Sequence, residues 1–135
     1  MEKLKLEIVT PDGLVFSGEV DEVIASGSEG EFGVLPGHAP FFTTLKIGII
    51  TIKRGTEVVY FFVNSGYAEI GQDKVIVLAD SAEKSEDIDV ERAKAAMKRA
   101  EERLKKMEEI DFSRAESALQ RATTRIQIAE RKVAR

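Results

Sequence analysis

The chain has no cysteine, no tryptophan and a single histidine, His38. Without cysteine there is no disulfide framework, no thiolate metal site and no cysteine nucleophile, which agrees with a cytosolic setting. One histidine cannot form a histidine pair for a metal or for proton transfer, so His38 reads as a surface or hydrogen-bonding residue. Long apolar runs are missing as well. The strongest, Val58 to Val63, falls far short of the roughly 20 residues of a membrane-spanning helix. The opening Met1-Glu2-Lys3-Leu4-Lys5 lacks the apolar core of a signal peptide. Membrane association is therefore expected only through a partner.

Glycine and proline are absent from one whole region. All 10 glycines and all 3 prolines of the 135 residues precede residue 72, which divides the chain into two parts of different character. Charge divides it again: residues 1–87 carry 7 Lys and Arg against 15 Asp and Glu, whereas 88–135 carry 13 against 9. An acidic front is followed by a basic tail, which suits a phosphate ligand or an acidic protein surface. With Phe112 as its one aromatic, the tail is poor material for base stacking, and nucleic acid is not an expected partner.

The front part reads as β structure. Leu4, Leu6 and Ile8 alternate with Lys3, Lys5 and Glu7, and Pro11-Asp12-Gly13 supplies turn chemistry. Further short strands are expected at Leu14 to Phe16, Val20 to Ala25, Val34-Leu35, Phe41 to Leu45, Ile47 to Lys53, Glu57 to Val63, Tyr67 to Ile70 and Lys74 to Ala79. Gly18, Arg54-Gly55-Thr56, Asn64-Ser65-Gly66 and Gly71-Gln72-Asp73 separate them. About ten short antiparallel strands with no helical pattern among them predict a sandwich or flattened barrel over residues 1–87, with Ser81 to Asp87 as an acidic connector. The segment Gly30 to Pro40 is dense in turn residues. It fails as a phosphate loop, because no Lys-Ser/Thr follows and a strand, not a helix, comes next. No G-x-S-x-G occurs, and Ser26, Ser28 and Ser65 have no evident base.

Residues 88–135 read as a helical hairpin. Val90, Ala93, Met97, Ala100, Leu104 and Met107 recur at steps of three and four, as do Phe112, Ala115, Leu119, Ala122, Ile126, Ala129 and Val133. Each stripe follows the same frame, Ile88-Asp89-x-x-Arg92-Ala93 and Ile110-Asp111-x-x-Arg114-Ala115, with Asp89 and Asp111 at the N-cap positions. Neither is a full capping box, since Arg92 and Arg114 stand where Glu or Gln is needed. Arginines repeat in the same way: Arg92, Arg99 and Arg103 on the first helix, Arg114, Arg121 and Arg125 on the second, each spaced seven and four. Such rows are either solvated flanks or two sides of a polyanion site. Folding back buries both stripes together, and one long straight helix splits them, so a ligand can choose between the two states.

Taken together, Val9-Thr10-Pro11-Asp12-Gly13, the G-E-x-G-x-L-P-G-H-x-P frame of Gly30 to Pro40, and Ile88-Asp89-x-x-Arg92-Ala93 resemble, in order and over essentially the whole chain, the epsilon subunits of bacterial F-type ATP synthases. The resemblance implies a noncatalytic rotor subunit at the cytoplasmic face of the bacterial cell membrane. Its sandwich would pack on the gamma subunit and touch the c-subunit ring. Its hairpin would either fold against the sandwich or extend into the alpha/beta head and block ATP hydrolysis. Family members with this frame bind one ATP on the hairpin, which implies a site of Glu83, Ile88, Asp89, Arg92, Ala93, Arg99, Arg121 and Arg125. Mg²⁺ would enter only with the phosphates, for no protein cage is evident. Glu31 and His38, in the exposed bend, are the expected partner contacts. Two other classes stand beside this one: an enzyme using the basic hairpin as a nucleotide site, which lacks a Walker lysine and a carboxylate metal cluster, and a plain coiled-coil adaptor.

Overall fold

The computed structural model describes residues 3–106 and 109–131, the side chains of Lys106 and of residues 109–112 apart. Eight strands come first: β1 Leu4–Thr10, β2 Gly13–Val20, β3 Glu22–Gly27, β4 Gly30–Val34, β5 Phe41–Leu45, β6 Gly48–Arg54, β7 Glu57–Ile70 and β8 Lys74–Lys84. A 3₁₀ turn at Ser85–Asp87 leads into α1, Val90–Lys106, and α2, Glu109–Glu130. The strands are ordered β2-β1-β8-β7-β5-β3-β4, with β6 closing against both β3 and β7. Leu4, Leu6, Ile8, Val75, Val77, Ala68 and Ile70 point inward from one layer, and Val23, Ala25, Ile50, Ile52, Val59 and Phe61 from the other, to form one apolar core.

Two long strands hold the layers together. The first half of β7 pairs with β6, from Arg54↔Glu57 to Gly48↔Val63, and its second half pairs with β5, from Leu45↔Gly66 to Phe41↔Ile70. Between the halves Ser65 (φ 55) and Gly66 (φ 144) bend the chain. A side chain at Gly66 would place its Cβ 2.0 Å from the Leu78 carbonyl oxygen, so β8 lies against the backbone here in a way only glycine permits.

These features correct the expected count and direction of strands. There are eight among the described residues, not about ten, and β1 pairs with β8 in parallel, through Lys5↔Lys74 to Val9↔Leu78. Asn64-Ser65-Gly66 kinks a continuous strand where its turn chemistry suggested a stop, because β8 continues alongside both halves. Gly18 sits paired with Leu6 inside β2, and the break falls at Asp21 instead. The first half of the Gly30 to Pro40 bend is β4, paired with β3. Ser81 to Lys84 belongs to β8, so the connector shortens to the 3₁₀ turn.

Asp21 closes the sandwich at that break. Its carboxylate accepts from Lys3 Nζ and from the Gly55 amide at 2.6 Å. The Lys3 hydrogen bond, and after it the Gly55 amide, hold its carboxyl below the ordinary aspartate range. A depressed pKa means that stability is present above the unfolded-state value and is lost as pH falls through the folded-state value. Acid unfolding monitored by circular dichroism should therefore begin at higher pH in Asp21→Asn than in the parent, and coincident acid limbs would refute the assignment.

In the hairpin, Ala93 and Ala100 of α1 and Ala115 and Ala122 of α2 are all buried. Small side chains at the seam let the two helices pack closely. Asp89 caps α1 as expected, its Oδ1 accepting from the Arg92 amide at 3.0 Å. Asp111 does not hold the matching place: α2 begins at Glu109, so the backbone is already helical there. Met107 and Val133 and the side chains of Asp111 and Phe112 lie outside the described residues. The hairpin stands on the sandwich through a second apolar cluster, in which Ile128 of α2 and Ile88 meet Phe62 of β7, with Ile47, Ile49 and Tyr60 around them. Burying a side chain such as Ile128 contributes about 1.5–3 kcal/mol to this docking.

Candidate functional site: a cavity between the hairpin and the sandwich

Four of the six arginines in the two rows meet over one cavity, and Arg103 and Arg114 are not among its lining. Arg92 and Arg99 reach it from α1, Arg121 and Arg125 from α2, and Ala93, Ala96, Ala118 and Ala122 floor it. Glu83 at the end of β8, Asp87 in the 3₁₀ turn and Asp89 at the cap of α1 supply carboxylates along its side. The volume, about 420 Å³, lies in the range of small-molecule sites. Four arginines from two antiparallel helices and three acidic residues thus line one cleft, a set of donors and acceptors that suits a ligand with an anionic end and a hydrogen-bond-donating end.

Seven of the eight expected residues line this space: Glu83, Asp89, Arg92, Ala93, Arg99, Arg121 and Arg125. Ile88 does not. It is 7% exposed and turns into the junction with Phe62 and Ile128. Asp87, Ala96, Ala118 and Ala122 are additions. Ala96 and Ala118 lie on the stripes' flank at helical spacing from Arg92 and Arg125 and could have been found by that spacing, and Ala122 lies on the stripe itself; Asp87 gives no such signal. Arg125 is the most constrained of the four arginines. Its Nε–H donates to Glu83 Oε2 at 3.2 Å, and its guanidinium carbon lies 4.2 Å from the centre of the Phe62 ring. Among the described residues no ion pair involves Arg92, Arg99 or Arg121.

Glu31 is exposed near the tip of the β3–β4 hairpin, opposite Ser26 of β3. His38 has its ring 5.2 Å from that of Phe41 and Nδ1 2.6 Å from the Ala39 carbonyl oxygen. Phe32, next to Glu31 in β4, packs its ring 5.3 Å from that same Phe41 ring.

A second surface has an unusual composition. Leu14, Val9, Leu78 and Tyr67 are consecutive cross-strand partners over β2, β1, β8 and β7, and Phe42 of β5 stacks on Tyr67 with ring centres 5.6 Å apart. Leu14, Leu78, Tyr67 and Phe42 are each more than half exposed. An apolar row across five strands, on the outer face of a sheet, marks an interaction surface.

This two-part construction, sandwich then hairpin, is matched by two family profiles. The ATP synthase Delta/Epsilon chain beta-sandwich domain covers residues 3–85, and the ATP synthase Delta/Epsilon chain long alpha-helix domain covers residues 86–130. The chain belongs to the ATP synthase epsilon-chain family. It is 56% identical over 103 residues to the ATP synthase epsilon chain of Thermodesulfovibrio yellowstonii, covering 76% of this chain and 74% of that one. Against the epsilon chain of Geobacter metallireducens it is 56% identical over 104 residues, 77% and 75% of the two chains. The fold is similar to that of a chain in the cryo-EM structure of the Euglena gracilis mitochondrial ATP synthase, OSCP/F1/c-ring, with a TM-score of 0.84 at 22% identity over 97% of this chain and 83% of the other. As an epsilon chain the protein is a noncatalytic subunit of the complex of ATP synthesis and proton transport. No helix among the described residues of this epsilon chain is long and apolar enough to cross a membrane.

Proposed function

We propose that this epsilon chain is a central-stalk subunit joining the catalytic head to the c ring, and that its hairpin senses ATP. The observation that carries the second half is the convergence of Arg92, Arg99, Arg121 and Arg125 from two helices on one cavity. Guanidiniums offer forked donors and keep their charge at every physiological pH, so together they suit a triphosphate. The carboxylates of Glu83, Asp87 and Asp89 suit the exocyclic amine and ribose hydroxyls at the other end. Mg²⁺ would accompany the phosphates without protein ligands of its own.

Regulation follows by linkage. The cavity takes residues from α1, α2 and the end of β8, and extension of the hairpin would separate them. ATP therefore favours the folded state in proportion to its affinity difference between the two states, and low ATP releases the hairpin toward the alpha/beta head, where it blocks hydrolysis. The exposed row from Leu14 to Phe42 is the face proposed for the gamma subunit, whose coverage would bury the large apolar side chains. Glu31, at the β3–β4 tip, and His38, beside Phe41, are the contacts proposed for the c ring. The subunit lies peripherally at the cytoplasmic face of the bacterial membrane, held there by the complex.

Calorimetric titration of the purified chain tests the nucleotide site. One-site binding of ATP, at least tenfold tighter than that of ADP, is the expected result. An absence of heat with ATP at millimolar concentration would refute nucleotide sensing and leave the arginine rows as partner-facing charge.

A further inference from the structure

Phe62 lies outside the cavity and on a different domain from the arginines, yet it touches one of them. It is fully buried, on β7, where the neighbouring Phe61 points into the sandwich core and Phe62 into the junction with the hairpin. Its ring face carries the Arg125 guanidinium at 4.2 Å, while Glu83 takes the Nε–H at 3.2 Å. Stacking occupies the flat face of a guanidinium and none of its N–H groups. The recorded hydrogen bond uses only Nε–H, so the terminal N–H groups of Arg125 stay available to the cavity that it lines.

We infer that Phe62 is a positioning residue for the anion site, fixing Arg125 through its ring so that the sandwich, and not the hairpin alone, sets the affinity for a triphosphate. An unsupported arginine of four-bond reach samples many rotamers, and ordering it on binding weakens the complex. Clamped between an aromatic face and a carboxylate, Arg125 is ordered before the ligand arrives. Both clamps, Phe62 and Glu83, belong to the sandwich strands β7 and β8. Lifting the hairpin removes them together, so the extended state loses not only the geometry of four arginines but the preparation of one of them. This inference rests on the nucleotide reading above, and deepens it by naming the sandwich residue that reports docking to the site.

The test is a titration of the full chain with ATP, combined with a double-mutant cycle. Phe62→Leu keeps an apolar side chain in the junction and removes the ring; it is expected to weaken ATP about tenfold. Phe62→Tyr, which keeps the ring face, should stay within about threefold of the parent. In an Arg125→Ala background, Phe62→Leu should cause no further loss, because the residue it positions is gone. In NMR spectra the Arg125 side-chain protons should be shifted upfield by the ring in the parent and in Phe62→Tyr, and lose that shift in Phe62→Leu. Unchanged ATP affinity in Phe62→Leu, or the same fold-loss with Arg125 present and absent, would overturn the inference while leaving the nucleotide site standing. If the parent itself binds no ATP, the nucleotide reading fails and the inference with it.

Discussion

Arg92→Ala is expected to lower ATP affinity about a hundredfold, because a charge-assisted hydrogen bond to phosphate is worth about 1.5–3 kcal/mol and each 1.4 kcal/mol is a factor of ten. Arg92 occupies the first turn of α1, one residue from the buried Ala93, and its side chain lines the cavity. It has no recorded ion pair among the described residues, so removal frees no partner charge. It is exposed on its helix, and alanine is the better helix former. Stability should consequently hold to within about 0.5 kcal/mol, as for other surface changes. A calorimetric titration paired with a thermal melt separates the two quantities. Affinity equal to that of the parent would remove Arg92 from the site, whereas a collapsed melt would show that the arginine holds the hairpin and not the nucleotide.

The largest effect on stability is expected at Gly66. Alanine there must adopt φ near +144 and put its Cβ 2.0 Å from the Leu78 carbonyl oxygen and 2.8 Å from the Ala79 Cα. Both obstacles are backbone, within a strand paired on each side, so neither can swing aside. Conformational strain alone amounts to about 1–3 kcal/mol, and with the clash the total should exceed about 3 kcal/mol, visible as a fall in melting temperature of about 10 °C or more. Gly55→Ala is the control. Gly55 also has positive φ, +57, but nothing lies within 4 Å of its added Cβ, so strain alone should cost only about 1 kcal/mol of stability. Similar melts for the two variants would mean that β8 can retreat from β7 at little cost.

How far the molecule could be read in advance depended on whether the signal was local. Arg92, Arg99, Arg121 and Arg125 were legible because helical spacing converts their repeat directly into a face, and the fold brings those faces together over one cavity, whereas the spacing could not tell that Arg103 and Arg114 fall outside it. Asp89 was legible for the same reason, since a cap bonds to the turn that follows it. Ile128 was not. It lies off the stripe of Ala115, Leu119 and Ala122 and on the flank of Arg121 and Arg125, because α2 packs in two directions, toward α1 and toward Phe62. The continuity of β7 was hidden by Asn64-Ser65-Gly66, whose composition states that positive φ is available but not whether the chain reverses or bends. That choice is made by β8, a neighbour distant in sequence. The parallel pairing of β1 with β8 has the same origin, for alternation within a strand says which face is buried and nothing about the direction of the next strand.

The footing of the hairpin has a mechanical side. Arg125, Ile128 and Ala129 of α2, with Arg131 just past its end, meet Glu83, Phe62 and Tyr60, and they span only about 9 Å along the helix axis. From Ile128 back to Glu109 the helix extends about 28 Å. The hairpin is thus a lever with its fulcrum at the sandwich, and a sideways push at its free end reaches the foot multiplied about threefold. A load at that far end would part the foot from the sandwich at about a third of the force needed at the foot itself.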